Sequence, residues 1–146
     1  TKPLEQPVEV IGPISVKLFV SSSAVDTDFT VKLIDVVPRN EDYPLGFAML
    51  VTDSIQRLRY RNHREWPKMI TPGKIYEIQF QLYPTANLFD VGHRIRVDIS
   101  SSNWPRFDVN PTTGEALGEQ RSMKVARNTI YHSADYPSQI VLPVVK

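Results

Sequence analysis

Apolar and polar residues alternate with a period of two along most of the chain, the signature of strands with one dry and one wet face. Within residues 76–82, Tyr76, Ile78, Phe80 and Leu82 fall on one face and Glu77, Gln79 and Gln81 on the other. Ile95, Val97 and Ile99 alternate in the same way with Arg94, Arg96 and Asp98. Val16, Leu18 and Val20 alternate with Ser15, Lys17 and the less polar Phe19. Phe29, Val31 and Leu33 alternate with Thr30 and Lys32, after which Ile34, Val36 and Val37 make the run apolar on both sides. Weaker strand patterns cover residues 8–11, 47–52, 56–60, 121–125 and 139–145.

The punctuation between these runs is turn chemistry. Thr71-Pro72-Gly73 suits a type II turn, with Pro setting φ at the second position and Gly supplying a positive φ at the third. Asp90-Val91-Gly92 and the run from Asn110 to Gly114 carry the same residue types. No window of a dozen residues shows a 3.6 period, so any helix is expected to be one short turn. About eight or nine strands with wet and dry faces predict an all-β, antiparallel two-sheet sandwich over residues 1–146, a jelly roll, with an immunoglobulin-type sandwich as the alternative. Serine clusters follow two of the strands, at residues 21–23 and 100–102, where hydroxyls can satisfy frayed backbone groups.

Composition narrows the function classes. Lys and Arg number 17 against 16 Asp and Glu, a balance that argues against a nucleic-acid binder. There is no cysteine, which excludes disulfides, thiolate zinc sites and a cysteine nucleophile, and fits a reducing compartment such as the cytoplasm. The 12 prolines are incompatible with a helical bundle. No apolar stretch approaches the ~20 residues of a membrane-spanning helix, and the first residues lack the order of a signal peptide. The first residue is Thr1, which sets the expectation of a processed product or a piece of a longer chain.

Catalytic constellations are mostly missing; paired carboxylates for glycoside hydrolysis are a three-dimensional property that the sequence leaves open. None of the 6 glycines stands two places before a serine, so there is no Gly-x-Ser-x-Gly elbow. His63, His93 and His132 are widely spaced, name no nucleophile and read as structural. Asp108, Asn110 and Thr112 at alternate positions, with Glu119 eleven places after Asp108, mimic a calcium loop, but the glycine at 114 is one place late and flanking helices are absent. Arg57, Arg59 and Arg61 alternate with Leu58 and Tyr60. They are expected on the solvated face of a strand, opposite carboxylates such as Glu77 or Asp98. Asp26 and Asp28 lie close together in a turn, where backbone hydrogen bonding is their expected role. No cofactor motif is present. The segment at residues 100–115 is the most unusual, because Trp104 and Phe107 sit in a long connection that either folds back on its own sheet or meets a partner. An exposed Trp104 would also suit sugar stacking, which keeps a carbohydrate-binding module as an alternative.

The segments GPISVKLFVSSSAVDTDFTVKLIDV, ITPGKIYEIQFQLYPTANLF, GHRIRVDISSSNWPRFDVNPTTGE and TIYHSADYPSQIVLPVV together resemble the C-terminal domain of the cocaine esterase / X-prolyl dipeptidyl-peptidase hydrolases. The resemblance runs from about Leu4 to Val145. It implies a parent of three parts: an α/β-hydrolase core that holds the Ser, Asp and His of the triad, a helical cap, and this galactose-binding-like jelly roll. On that resemblance the core and cap are the partners, and an apolar patch around Trp104 or an adjoining sheet edge is expected, which can drive self-association; charge balance and hydropathy point to no nucleic acid and no membrane. Asp28, Phe29, Gly92, His93, Arg94, Ser101, Asn103 and Pro105 correspond to family-pattern scaffold positions. Trp104, Arg106, Phe107 and Asp108 become candidates for a domain interface or substrate entrance, with Arg106 suited to grip a carboxylate. Trp104 stands where the family pattern has Phe, and Val109 where it is often basic.

Overall fold

A computed structural model describes residues 1–119 and 121–145. Seven strands are present among them: β1 (Val8–Ser22), β2 (Asp28–Val37), β3 (Phe47–Arg57), β4 (Tyr76–Phe89), β5 (Arg94–Ser100), β6 (Asn128–Tyr131) and β7 (Gln139–Val141). They form two antiparallel sheets, one ordered β4-β1-β6 with β7 also on β1, the other β3-β2-β5. The expected β-sandwich is the observed architecture. Among the described residues the one helical element is a 3-10 turn at Leu58–Tyr60.

The alternation marks the core. Val16, Leu18 and Val20 of β1 and Ile78 and Leu82 of β4 face Phe29, Val31 and Leu33 of β2, and all are buried. The patterns at residues 8–11 and 16–20 belong to one long strand, interrupted where the β1–β4 register shifts between Gly12 and Ile14. Val97 is more exposed than its alternation predicts, because β5 is an edge strand with a partner on one side. The pattern at residues 121–125 forms no strand; Lys124 instead donates its backbone N–H to the Pro111 carbonyl.

β2 is buried on both faces. Opposite Phe29 and Val31, its outward residues Asp28 and Thr30 are buried too, as is Asp53, which pairs with Lys32 on that same face. Asn103, Arg106 and Asn110 of the long β5–β6 connection reach the carboxylates there, so this connection folds back over its own sheet.

The strand directions divide the sandwich into two ends. The β1–β2, β3–β4 and β5–β6 connections gather at one, the loop end; the β2–β3 and β4–β5 connections lie at the other. The ten residues of β2 separate the ends by about 30 Å. At the loop end, Lys74 donates its N–H to the Thr71 carbonyl and Gly73 has φ +79°, which is the expected type II turn. The serine hydroxyls act as backbone partners there: Ser22 Oγ accepts from Ala24 N, Ser23 Oγ from Arg127 N and Ser100 Oγ from Ser102 N.

Candidate functional site

The densest polar chemistry is a buried ion network at the loop end. β3 stops at Arg57 because Leu58 turns into the core, fully buried, and the 3-10 turn then swings Arg59 inward. Arg59 donates its backbone N–H to Asp26 Oδ1 at 2.9 Å, its Nε to Asp26 Oδ2 at 2.6 Å and its Nη1 to the Glu115 carbonyl at 2.8 Å. Arg57 meets Asp28 side-on, Nε to Oδ1 and Nη2 to Oδ2, both at 2.9 Å, the bidentate geometry that fits guanidinium to carboxylate. Asn110 joins the pairs, its Nδ2 donating to Asp26 Oδ2 at 2.9 Å and to Asp28 Oδ1 at 2.7 Å. Its Oδ1 accepts from the Thr112 N–H, which fixes the turn in which Thr112 takes φ +62°.

This arrangement corrects the reading of the three arginines as a solvated strip facing Glu77 or Asp98. Arg59 leaves the strand, Arg57 pairs across to Asp28, and Arg61 donates to the Leu58 carbonyl and lies over the Tyr76 ring. Asp26 does accept a backbone N–H, as expected, but its main partner is a side chain. The signal was present: two aspartates two apart, and two arginines two apart around a leucine. What paired them is the β2–β3 register, which sets Asp28 opposite Arg57.

Burial pushes the Asp28 carboxyl above its usual range, and the hydrogen bonds from Arg57 and Asn110 pull against it without cancelling it. The same contact raises Arg57, whose guanidinium is held charged by Asp28. Asp26 and Asp28 use both carboxylate oxygens in these bonds. They are therefore poorly placed to act as base or nucleophile, and their chemistry is to lock the loops together.

The sequence candidates divide between the two ends. Asp28 is in the network, and Phe29 is in the core beside it. Asp53 is buried, accepts from Asn103 Nδ2 at 2.8 Å and forms an ion pair with Arg106, Nε to Oδ1 at 3.0 Å. Arg106 thus grips a carboxylate within the domain, and its guanidinium lies over the Tyr83 and Phe107 rings. Ser101 Oγ accepts from Asn128 Nδ2. Trp104 and Pro105 are exposed, Trp104 at 70%. Phe107 is half-buried, and Asp108 is exposed with its carbonyl accepting from Arg57 at 3.4 Å. Gly92, His93 and Arg94 lie at the opposite end. There His93 Nδ1 meets Asp35 Oδ1 at 2.9 Å, and the backbones of Gly92 and His93 bond to Leu4. His63 and His132 are exposed.

The calcium-like spacing of Asp108, Asn110, Thr112 and Glu119 does not become a converging set of oxygens. Asn110 turns inward to Asp26 and Asp28, and the Thr112 hydroxyl donates to the Pro111 carbonyl. Among the described residues no group of three or more His, Asp or Glu is placed to hold a metal ion.

Beside the network runs an open groove of about 800 Å³. Residues 54–57 of β3 and 79–81 of β4 form its walls, and Tyr60, Arg61, Arg64, Phe107 and Asp108 its end.

Residues 1–141 match the family described as the X-Pro dipeptidyl-peptidase C-terminal non-catalytic domain. The chain belongs to this family. It is 46% identical over 148 residues to the cocaine esterase of Rhodococcus sp. (strain MB1 Bresler), a match that covers 100% of the chain and 25% of that protein. The crystal structure of an aminopeptidase from a marine sediment Thaumarchaeota archaeon superposes with a TM-score of 0.92 at 32% identity, over 100% of the chain and 25% of its own. An α-amino acid ester hydrolase gives 0.92 at 35% identity, over 99% of the chain and 25% of its own. The chain thus spans about a quarter of the length of these relatives. The family's description as non-catalytic agrees with a site whose carboxylates, Asp26 and Asp28, are each paired to an arginine.

Proposed function

We propose that the chain serves as the non-catalytic C-terminal domain of a serine hydrolase acting on esters, amides or X-Pro peptides. It docks on the α/β-hydrolase core and cap of the same polypeptide and helps shape the substrate entrance. The observation that carries this reading is the family match over residues 1–141 in a chain that spans a quarter of its hydrolase relatives. The paired carboxylates of Asp26, Asp28 and Asp53 support it, because a domain built this way supplies shape and rigidity.

The test is to assay the purified chain and the longer polypeptide side by side on a chromogenic ester. The longer polypeptide turns the ester over and the chain alone does not. Turnover by the chain alone would overturn the proposal.

A further inference from the structure

We propose that the loop end of the sandwich is the face covered by the catalytic part of the same polypeptide. This rests on the reading above and adds to it which surface docks and by what chemistry.

Large apolar side chains are exposed there on all three connections. Val25, Trp66, Met69, Val109, Leu117 and Met123, drawn from all three connections at this end, are exposed, Trp66 at 70% and Met123 at 68%. The connections are in direct contact. The Ile70 N–H donates to the Val25 carbonyl at 2.9 Å, and the space beside Gly114 is closed by Val25 and by the Met69 sulfur. Val109, Pro111 and Met123 line a common hollow. Scattered apolar residues on a surface need no explanation, but Val25 and Met69 meet at Gly114 across the three loops, and Val109 and Met123 share one hollow, which marks an interaction surface.

The buried network explains how such a surface holds its shape. Long loops without secondary structure are ordinarily mobile. Here Arg59 ties the β3–β4 connection to Asp26 of the β1–β2 connection and to the Glu115 carbonyl of the β5–β6 connection. Asn110 adds a second tie between the last two. Desolvating these charges costs stability that an apolar core would not cost. The return is a pre-ordered face that loses little further entropy on docking.

The occupant follows from chain length. Three quarters of each relative's chain lies outside the matched domain, so a covalently attached partner is present at high effective concentration. Arg64 and Lys68 lie on either side of Trp66 in the chain with Glu65 between them, so the apolar side chains and the covalent tether, and not one sign of charge, define the occupant. The opposite end also exposes apolar side chains, Tyr43, Leu45 and Phe47 on one hairpin and Leu88 and Val91 at the β4–β5 connection, but among the described residues no buried arginine–aspartate pair ties its connections together.

Hydroxyl-radical footprinting of the chain alone and of the longer polypeptide tests this. Met69, Met123 and Trp66 are expected to oxidise about tenfold more slowly in the longer polypeptide, with Tyr43 and Phe47 unchanged. Protection of Tyr43 and Phe47 instead would overturn the choice of face while leaving domain docking intact. No difference at any site would overturn both. Protection of Met123 that grows with concentration in the chain alone would replace the hydrolase core by a second copy as the occupant. Met123→Glu provides an independent check, since the side chain is exposed in the chain alone. It should lower the melting temperature of the longer polypeptide and leave that of the chain unchanged. Equal effects on the two would count against the proposal.

Discussion

Arg59 and Asp26, 33 positions apart, meet at 2.6 Å with side chains 3% and 0% exposed. A pair so thoroughly removed from water is sensitive to the loss of either member, because the survivor is left as an uncompensated buried charge.

Asp26→Ala is therefore expected to cost about 3–5 kcal/mol of stability, read as a shift in the urea midpoint. Replacing both partners, as Asp26→Leu with Arg59→Met, should recover much of that loss, since apolar residues of similar volume carry no desolvation penalty. A double variant as unstable as the single one would show that the pair positions the loops in some further way.

Asn110→Ala removes the donor that Asp26 and Asp28 share and the acceptor that holds the Thr112 turn. The expected cost is about 1–3 kcal/mol. Limited proteolysis should then cut first within the β5–β6 connection, whose tie to the β1–β2 loop has been lost. Unchanged cleavage there would place the restraint elsewhere.

Asp28 supplies a pH signature of definite sign. Burial raises its carboxyl above the ordinary value of 3.8, so the fold holds the proton more tightly than the unfolded chain does. Its contribution is fully present below 3.8 and is lost as pH rises through the raised folded value. Asp28→Asn abolishes this dependence. Measured by urea unfolding between about pH 7 and pH 4, the wild type should gain on the variant as pH falls. A constant gap would refute the shift.

Gly114→Ala combines backbone strain with a steric clash. The residue has φ +81°, and an added Cβ would lie 2.8 Å from Val25 Cγ2. The strain alone costs about 1–2 kcal/mol. Gly73→Ala isolates that part, having φ +79° and no neighbour within 4 Å. A larger fall in melting temperature for Gly114→Ala than for Gly73→Ala measures the clash; equal falls would mean that Val25 moves aside freely.

Much of this fold is legible along the chain, because a strand with one dry face writes its orientation into adjacent residues. Tyr76 to Leu82 and Val16 to Val20 show it, and the turn at Gly73 is equally local. The family segments were legible too, since they are contiguous stretches of sequence. Val97 was misjudged because burial at a sheet edge depends on what covers the strand, and residues 121–125 because a short apolar pattern does not by itself secure a pairing partner. The arginine strip was misread for a similar reason. Residues 56–60 alternate like a strand, yet Leu58 gains more by entering the core than by continuing the ladder.

What the chain alone determined, then, is the two-sheet sandwich, its turns and the lack of a catalytic elbow, all properties of neighbouring residues. What only the tertiary structure decided is which charges meet. Asp26 and Arg59, Asp28 and Arg57, Asp53 and Arg106 are joined across strands and loops, and Asn110 reaches from a third connection to link two of these pairs. Charge pairing carries no periodicity that marks a partner in sequence. It is fixed by strand register and by which groups the packing leaves without water.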